Sequence, residues 1–589
     1  MLLSKRKYNS FDLLRLPFQV SPACTTLGVL LSVLHAVLPT ALTALATANF
    51  VDTAAEILSG ARPRDDIYFP LFLLLVVLGL NITLGAVISM FRNRVQIQLR
   101  LKFKNEVVRI HAALDYKHIE NVESEELIQR VSKDPVKSVM DGFDGYLTMV
   151  QIVISIVSIL GLIVAQVWWA AVVIVVFSTP LLWLSMRAGK SIHKAFTDSS
   201  EQYRRTTYYD EVISGRDCVD ERALFGYGKY VSKLWAEQYE IARRTQFKAM
   251  VKAFVFTKGA GLILAFVGFL IALTLIQPVL SGLLSAGMFM GIVSAVFSMI
   301  TQLSWRMTGS GMSIARGNEY VKDLTAFCAL DAAEGALAVP DAEPVDFRSL
   351  EFRDVRFKYP SGDVYILDGL SFSLESGCHY AFVGKNGAGK TTITKLLTGL
   401  YTDYEGEILI NGRELRSYSA GALKALFSVV YQDFARYYVS LKDNITLGDV
   451  AGSPADEVAA EMAALSGLEE PLDTVLGKIK EGGKDISGGQ WQRLAIARSL
   501  ISRAKVKMLD EPTAALDPLS ESRVYEEFEK LMAGKTTIFI SHRLGSTKLA
   551  DKILVIDEGR IAECGSHKEL MAAGGQYKEM FESQRSWYQ

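Results

Sequence analysis

The sequence is poor in cysteine and carries almost no net charge. Its 589 residues include five cysteines, none of them in a C-x-x-C pair. Neither a disulfide framework nor a zinc site is therefore expected, and buried free thiols are the simplest interpretation. The formal net charge is −1, which gives no basic footprint for a nucleic acid. Nucleic acid is therefore not an expected partner.

Charge is also missing from long stretches in the first half of the chain. Apolar residues make up 50% of the sequence, and the mean hydropathy is +0.21. A bilayer span takes about 20 apolar residues. Six stretches are long enough, and they lie near residues 26–48, 69–90, 147–167, 170–186, 259–277 and 281–303. Trp168 and Trp169 separate the third from the fourth and predict an interfacial turn.

Lysine and arginine cluster at alternate ends of these stretches. Lys5, Arg6 and Lys7 precede the first span, and further clusters follow the second, fourth and sixth. The positive-inside rule predicts a multi-pass protein of the cell membrane with a cytosolic amino terminus. The polar connections 91–146 and 187–258 predict helices that continue the spans into the cytosol. Breaks in these helices are expected near 115–121 and 220–226.

Two polar features of this half have a functional and a structural interpretation. Small residues recur at helical spacing along the sixth span. They form either a polar wall of a solute pathway or a seam for helix packing, and the seam is preferred. A lone histidine, His118, lacks partner ligands at metal-binding spacing, so a solvated surface residue is preferred. The small residues, with the tryptophan that ends the row, are Gly287, Gly291, Ser294, Ser298, Thr301 and Trp305.

A second, soluble domain follows a linker. Residues 331–346 are rich in alanine and acidic residues and contain two prolines, which predicts a linker. Residues 347–589 have the composition of a soluble α/β domain. Early in that domain, a phosphate-binding pattern, G-x-x-x-x-G-K-[ST], lies between a predicted strand at 380–383 and a predicted helix from 392. It predicts a nucleoside triphosphate site made of Gly384, Lys385, Asn386, Gly387, Ala388, Gly389, Lys390 and Thr391.

Two later motifs fit the same chemistry. The mostly apolar run from Val506 ends in Asp510 and Glu511. The first acid can hold Mg²⁺ near the phosphates, and the second can polarise an attacking water. The segment Ser487-Gly488-Gly489-Gln490 precedes a predicted helix, whose capped N-terminus would be a second phosphate-seeking dipole. Taken alone, this segment would be interpreted first as an ordinary flexible turn. Two chains placed head to tail could each supply this second site to the other's ATP.

Together, these motifs resemble an ATP-binding-cassette (ABC) transporter of the exporter type, with fused membrane and nucleotide-binding domains. The resemblance covers essentially the whole chain, and the form of the motifs is similar to that in bacterial peptide and multidrug exporters. It implies a half-transporter with the type IV fold. An all-α, six-span transmembrane domain (1–330) would precede an α/β P-loop ATPase domain (347–589) that hydrolyses ATP to drive transport.

The resemblance also implies roles for individual residues in the nucleotide site. Tyr359 would stack on adenine, and the phosphate-binding loop with Thr392 would hold the phosphates of ATP. The ligands of Mg²⁺ would be Thr391, Gln432 and Asp510.

Catalysis and the second half of the site are implied in the same way. Glu511 would act as the general base, Gln432 would assist, and His542 would contact the γ-phosphate. Residues 515–517 match the D-loop of the family. Ser487, Gly488, Gly489 and Gln490 would contact the ATP of the partner chain, so a second half-transporter is the expected partner. A homodimer is favoured, and a heterodimer remains open.

The chain departs from the family pattern at two positions. Ile486 replaces the usual leucine at the start of the signature, and little effect is expected. Lys507 lies inside the second acid-bearing strand, where an apolar residue is usual. A buried lysine is costly, so we expect its stem to carry the ammonium to the domain surface.

The expected function is ATP-driven export of an amphipathic peptide, lipid or drug across the lipid membrane. Alternatives are an importer of siderophore-like cargo on the same scaffold, and a membrane-anchored ATPase that serves as a regulator or channel. The two helix breaks resemble coupling helices, which would dock on Phe434, Tyr437 and Tyr438. The second break would reach the nucleotide domain of the partner chain.

Overall fold

The computed structural model divides the chain into two compact units. The first consists of Met1–His111 and Glu126–Ala329, and the second of Ala112–Glu125 and Leu330–Gln589. Residues 112–125, which lie within the predicted membrane domain, thus cluster with the second unit. The structure describes isolated residues between 168 and 198, together with residues 2–37, 42–166, 199–282, 284–302, 306–452, 454–465, 467–478, 482–511, 534–541 and 546–586.

Helices build the described part of the chain before residue 330. A π-helical turn over Arg100–Lys104 joins the fourth to the fifth, and the sixth belongs to the second unit. In chain order they are α1 (Ser10–Val20), α2 (Pro22–Val37), α3 (Thr43–Leu58), α4 (Tyr68–Leu99), α5 (Asn105–Ala112), α6 (Tyr116–Glu120), α7 (Val122–Ser132), α8 (Pro135–Gln166), α9 (Ser200–Ser214), α10 (Val219–Phe225), α11 (Gly228–Leu280), α12 (Ala286–Thr301) and α13 (Met307–Ala329).

Membrane spans are recognised by length and composition within the described residues. Arg64–Ala112 and Pro135–Ala165 are long and apolar enough to cross a bilayer, and α1 with α2, bent by 117°, adds a third if the pair is one span. Shorter apolar helices, Ala265–Leu280 and Ala286–Thr301, coincide with the predicted fifth and sixth spans. The predicted fourth span, 170–186, lies mostly outside the described residues.

Two details of the predicted spans differ from the structure. The first apolar run, 26–48, is divided between α2 and α3, and residues 38–41 between them are not described. Trp168 and Trp169, predicted to form a turn, are both helical. Apolar composition therefore located the runs, but it did not define where individual helices begin and end.

The predicted breaks and the helical extensions of the second and fifth spans are confirmed, whereas the extension that follows the fourth span begins mostly outside the described residues. Helix α11 has 53 residues, a length of about 80 Å at 1.5 Å per residue, and it includes the predicted fifth span. The short helices α6 and α10 lie at the two predicted breaks. Helix α10 ends at Gly226, whose φ of +61° is a left-handed conformation that favours glycine.

The small residues of the sixth span begin a packing seam. A Cβ on Gly287 would lie 2.0 Å from the carbonyl oxygen of Ala48 in α3, and one on Gly291 would lie 3.0 Å from that of Ala44. The Asp52 carboxylate accepts hydrogen bonds from Ser285 Oγ at 2.6 Å and Gly287 N at 2.7 Å, which anchors the start of α12. The preferred seam is thus confirmed for these two glycines. Trp305 is not described.

The second unit contains two β-sheets. A four-stranded antiparallel sheet has the order β2-β1-β4-β5, and a six-stranded sheet has the order β10-β9-β3-β8-β7-β6. The strands are β1 (Ser349–Phe357), β2 (Leu367–Glu375), β3 (His379–Val383), β4 (Glu405–Ile410), β5 (Arg413–Glu414), β6 (Phe427–Val430), β7 (Val506–Asp510), β8 (Thr536–Ile540), β9 (Lys552–Asp557) and β10 (Arg560–Gly565).

The larger sheet is parallel except where β10 pairs with β9. Every residue of β7 and of β8 is buried, as expected for a parallel sheet that is covered on both faces. Because β3, β6 and β7 run in the same direction, the residues that follow them reach the same edge of the sheet. The described helices of this unit after residue 330 are α14 (Lys390–Leu397), α15 (Ala420–Leu426), α16 (Leu441–Thr446), α17 (Asp456–Leu465), α18 (Gly488–Ile501), α19 (His567–Ala573) and α20 (Gln576–Ser586).

Candidate nucleotide-binding site

The phosphate-binding loop connects β3 to α14 and depends on glycine at two close approaches. Gly389 has a φ of +99°, and a Cβ there would lie 2.6 Å from Leu367 Cδ2. A Cβ on Gly384 would lie 2.2 Å from the carbonyl oxygen of Ile556. Side chains at these positions would displace the loop from the end of β3. The predicted strand, glycine loop and helix are therefore present in the predicted order.

Lys390 is folded back into this loop. Its ammonium donates to the carbonyl oxygens of Gly384 at 2.8 Å and Lys385 at 2.9 Å, and the residue is only 5% exposed. Burial lowers the pKa of Lys390, while the charges of Glu511 and Asp510 act in the opposite direction. A buried cation beside two acids and a glycine loop suits a polyanionic ligand.

Asp510 ends β7 directly beside the loop. Its Oδ2 accepts a hydrogen bond from Thr391 Oγ1 at 2.9 Å, and the residue is 2% exposed. Burial raises the pKa of Asp510 to about 6, against the lowering effect of the Thr391 hydrogen bond. A buried carboxylate needs a cation to remain ionised. With the Thr391 hydroxyl, it forms a set of oxygen donors that fits Mg²⁺.

Glu511 has a strained backbone and several hydrogen bonds. Its φ is +50°, which is uncommon for a residue other than glycine. Its amide donates to the Ile540 carbonyl at 2.8 Å, and its carbonyl accepts from Gln492 Nε2 at 3.2 Å. Its Oε2 accepts from Gln432 Nε2 at 3.1 Å. Strain of this kind is typical of functional positions.

One cavity brings together most of the predicted residues, although Gly384, Lys385 and Ala388 of the loop are not in its lining. It has a volume of about 480 Å³. Tyr359 contributes to its wall and places its hydroxyl 3.0 Å from Thr392 Oγ1, while its ring meets those of Phe357 and Tyr401 edge-on. The lining comprises Tyr359, Ile366, Asn386, Gly387, Gly389, Lys390, Thr391, Thr392, Gln432, Asp510 and Glu511.

The signature segment caps a helix outside this lining. Ser487 Oγ accepts from Gln490 N at 3.2 Å, and Gln490 Oε1 accepts from Ser487 N at 2.8 Å. This reciprocal capping box confirms the predicted cap at the start of α18. Residues 487–490 are not among the described residues that line the cavity. His542 and residues 515–517 lie outside the described part of the chain.

Comparisons with known proteins agree with this geometry. A model of the ABC transporter transmembrane region matches residues 25–307, and an ABC transporter model matches residues 367–514. The lipid A-core flippase of Mannheimia succiniciproducens is 30% identical over 467 residues, or 78% of each chain. The chain belongs to the ABC transporter family.

Further similarities support the class and the fold of this ABC transporter. The subtilin transport ATP-binding protein SpaT of Bacillus subtilis is 28% identical over 535 residues, which cover 88% of this chain and 86% of that protein. A bacterial Atm1-family ABC exporter, solved with ATP bound, matches with a TM-score of 0.75 at 22% identity, over 95% of this chain and 99% of that chain. The predicted class is confirmed: an ATP-hydrolysing transporter with fused membrane and ATPase domains and the fold of an exporter.

Lys507 of the transporter does not reach the surface, so that prediction was wrong. The residue is 0% exposed, and its Nζ donates to the carbonyl oxygens of Ser499 and Ser502, each at 2.6 Å. These carbonyls lie at the end of α18, where a lysine can satisfy the last acceptors of a helix. Burial, with a smaller contribution from the charge of Lys535, lowers the pKa of Lys507 to about 7.

Helix α6 contacts the ATPase core within the second unit. Glu120 Oε1 lies 2.5 Å from Lys395 Nζ on α14, and Glu120 also accepts a hydrogen bond from the Tyr401 hydroxyl. The Lys395 ammonium lies 5.2 Å from the ring centre of Tyr116 and 5.3 Å from that of Tyr359. One ammonium thus touches α6 and the aromatic residue predicted to bind the base.

These contacts differ from the predicted docking surface. Phe434 packs against apolar clusters of the ATPase domain, and Tyr438 lies edge-on to Trp491 at 6.0 Å. The Arg498 guanidinium lies 4.7 Å from the ring centre of Tyr437. Phe434 therefore packs within its own domain, whereas Tyr437 and Tyr438 remain 43% and 47% exposed, so docking on these two residues stays a prediction. Docking of α10 on a partner chain remains a prediction.

Proposed function

We propose that this ABC transporter exports an amphipathic cargo, a peptide, lipid or drug, from the cytosolic side of the membrane. The observation that carries the ATP-driven part of the proposal is the 480 Å³ cavity, where the loop lysine, the two acids and the Gln432 amide converge. The relatives named for lipid A-core and subtilin transport support an amphiphile as cargo. The apolar helices of the first unit are compatible with such a molecule.

Lys390 and the loop amides bind the phosphates of ATP. The two backbone carbonyls that Lys390 contacts are replaceable, because phosphate oxygens offer stronger, charge-assisted hydrogen bonds to an ammonium. The N-terminus of α14 adds the positive end of a helix dipole. Tyr359 stacks on the adenine ring. Lys385, Asn386 and Ala388 supply backbone contacts between the glycines of the loop.

Thr391, Gln432 and Asp510 would hold Mg²⁺. The bound ion would neutralise charge on the β- and γ-phosphates. The hydrogen bond between Thr391 and Asp510 already holds these two oxygen donors 2.9 Å apart. Gln432 contributes its amide oxygen, since its amide nitrogen is engaged by Glu511.

Glu511 is the general base of hydrolysis. Its carboxylate takes a proton from the water that attacks the γ-phosphorus, and ADP leaves as the bond to the β-phosphate oxygen breaks. The fixed backbone of Glu511 and the Gln432 hydrogen bond orient the carboxylate toward the cavity. By family resemblance, His542 contacts the γ-phosphate.

A second chain completes the site. The capping box uses Ser487 and Gln490, which leaves the amides at the start of α18 available for an anion. Ser487, Gly488, Gly489 and Gln490 would meet the γ-phosphate held by a partner placed head to tail. A homodimer is the simplest assembly, and a heterodimer is compatible with the same chemistry. Closure on ATP and release after hydrolysis would switch access to the cargo pathway.

Replacing Glu511 by glutamine tests the chemistry directly. Glu511→Gln should bind ATP normally and lose hydrolysis by about 10²–10⁴-fold, the usual contribution of a general base. Glu558→Gln is the matched control, because Glu558 also has a positive φ, of +47°, but does not line the cavity. Unchanged hydrolysis in Glu511→Gln would show that another group activates the water.

A further inference from the structure

A second cavity lies within the first unit, between α2, α4 and α8. Its volume is about 230 Å³, which is smaller than the roughly 300–1,000 Å³ of a complete small-molecule site. Apolar side chains such as Val29 and Phe143 form part of its wall. The polar part includes Ser32, Arg92, Asp144, Gln151 and Arg306. A cavity of this size can take the headgroup of an amphiphile but not its chains.

A buried hydroxyl in this wall has no partner. Ser32 is 1% exposed, and its Oγ makes no hydrogen bond within the described residues. The neighbouring Gln151 donates to the Ser32 carbonyl oxygen at 3.3 Å, not to the hydroxyl. A buried hydroxyl without a partner costs free energy, so Ser32 can donate to an acceptor that enters the cavity.

The two arginines of the wall differ in their partners. Arg92 forms an ion pair with the Asp144 carboxylate, so the charges of this pair compensate each other. Arg306 donates to the amide oxygen of Gln151 at 3.3 Å, and no carboxylate in the described part of the chain forms an ion pair with it. Among the described residues, the cavity wall therefore carries one positive charge that no ion pair compensates. Arg306 is also exposed, so a ligand can reach its guanidinium.

We infer that this cavity binds the anionic headgroup of the exported amphiphile. A phosphate or carboxylate oxygen would accept from the Arg306 guanidinium, whose planar fork matches both groups. The Ser32 hydroxyl would donate a further hydrogen bond to the same group. Val29 and Phe143 would contact the first carbons of the chain. The inference rests on the proposed export function, and it narrows the cargo to acidic amphiphiles.

Binding to the full-length protein in phosphatidylcholine nanodiscs tests the inference. The probes are dodecyl phosphate and dodecylphosphocholine, which share a chain and differ in net charge, and calorimetry measures both affinities. Dodecyl phosphate should bind the wild type about tenfold more tightly. Arg306→Gln should abolish this preference, Arg306→Lys should retain part of it, and Ser32→Ala should weaken dodecyl phosphate several-fold.

A matched control and a third probe make the result decisive. Arg94→Gln removes an exposed arginine of α4 that does not line the cavity, and it should keep the wild-type preference. A full preference in Arg306→Gln, or none in the wild type, would overturn the inference. Inorganic phosphate should displace dodecyl phosphate poorly. If it displaces dodecyl phosphate at an equal concentration, the cavity binds a free anion, and the assignment to a headgroup is overturned.

Transport in proteoliposomes separates this inference from the proposed function. Binding that depends on Arg306, without ATP-driven movement of any amphiphile, would support the cavity assignment and contradict export. ATP-driven movement of amphiphiles that is unchanged in Arg306→Gln, including movement of dodecyl phosphate, would support export and overturn the cavity assignment. Basal ATP hydrolysis shows that each variant has folded.

Discussion

Two buried lysines in the second unit make similar hydrogen bonds but have different charged groups around them. Lys390 in the phosphate-binding loop and Lys507 in β7 are 5% and 0% exposed, and each ammonium donates to two backbone carbonyls. Lys390 borders the 480 Å³ cavity, whereas Lys507 closes the end of α18. Hydrogen bonds to carbonyls therefore do not distinguish a ligand-binding lysine from a structural one.

The charges around each lysine make the distinction. Burial lowers the pKa of both, but Asp510 and Glu511 oppose that effect at Lys390. At Lys507 the charge of Lys535 adds to the lowering, and the pKa falls to about 7. The two acids thus favour the charged form of Lys390 beside an open cavity, while the pKa of Lys507 lies at about 7 inside a closed core. Lys390 is suited to a phosphate and Lys507 to the carbonyls at a helix end.

Among the lysine contacts compared, the largest effect should come from Lys390→Ala. Loss of the ammonium removes a charge-assisted contact to the phosphates, and ATP hydrolysis should fall by about 100-fold or more. The measurement is steady-state hydrolysis, with ATP binding followed separately. Lys568→Ala, at an exposed position on α19, is the control and should have wild-type activity. If Lys390→Ala hydrolyses ATP at half the wild-type rate or faster, Lys390 is not the phosphate-binding lysine of the comparison.

Lys507→Met should change how stability depends on pH. The folded-state pKa of Lys507 is about 7 and the unfolded value is about 10.4, so between these values the unfolded chain binds more protons at this site. Stability of the wild type relative to Lys507→Met should therefore rise from pH 7 to pH 9, with a slope of at most about 1.4 kcal/mol per pH unit.

Thermal unfolding of both proteins across this pH range provides the measurement. The difference in Tm should be nearly constant below pH 7, where Lys507 is protonated in both states. Parallel curves from pH 7 to pH 9 would contradict a buried lysine that titrates near neutrality. The surrounding charges would then not distinguish Lys507 from Lys390.

The smallest effect should come from the ion pair of a third lysine. Lys395 pairs with Glu120, a carboxylate on α6, and a partly exposed ion pair is worth about 0.2–1 kcal/mol. Glu120→Gln should leave basal hydrolysis within about twofold and reduce its stimulation by cargo a few-fold, because the contact between α6 and α14 weakens. Glu123→Gln, at an exposed position nearby, should stimulate normally. Full stimulation in Glu120→Gln would show that the contact between Glu120 and Lys395 does not couple cargo binding to ATP hydrolysis.

The phosphate site could be predicted from sequence because its constraints are local. Gly384 and Gly389 mark backbone approaches that no side chain permits, and the strand and helix on either side have clear hydrophobic patterns. Asp510 and Glu511 end a strand that is parallel to β3, so their proximity to the loop follows from the fold class. The capping box of Ser487 and Gln490 is also a short-range pattern.

Long-range packing could not be predicted in the same way. The partners of Lys507 lie in a helix that precedes its strand, and only the fold brings Ser499 and Ser502 to its ammonium. The contact of Glu120 with Lys395 joins positions 275 residues apart, and nothing in either local pattern encodes it. Sequence also could not show that Phe434 packs into apolar clusters of its own domain, whereas Tyr437 and Tyr438 contact Arg498 and Trp491 and stay exposed.

Mixed dimers test most directly whether two chains share each nucleotide site. Lys390→Ala disables the phosphate loop, and Gly489→Asp places a negative charge at the signature helix, so each variant alone should be inactive. Random pairing of equal amounts should restore ATP hydrolysis to as much as about a quarter of the wild-type rate, because each heterodimer regains one intact site. Hydrolysis by the mixture no faster than by either variant alone would contradict a site shared between chains.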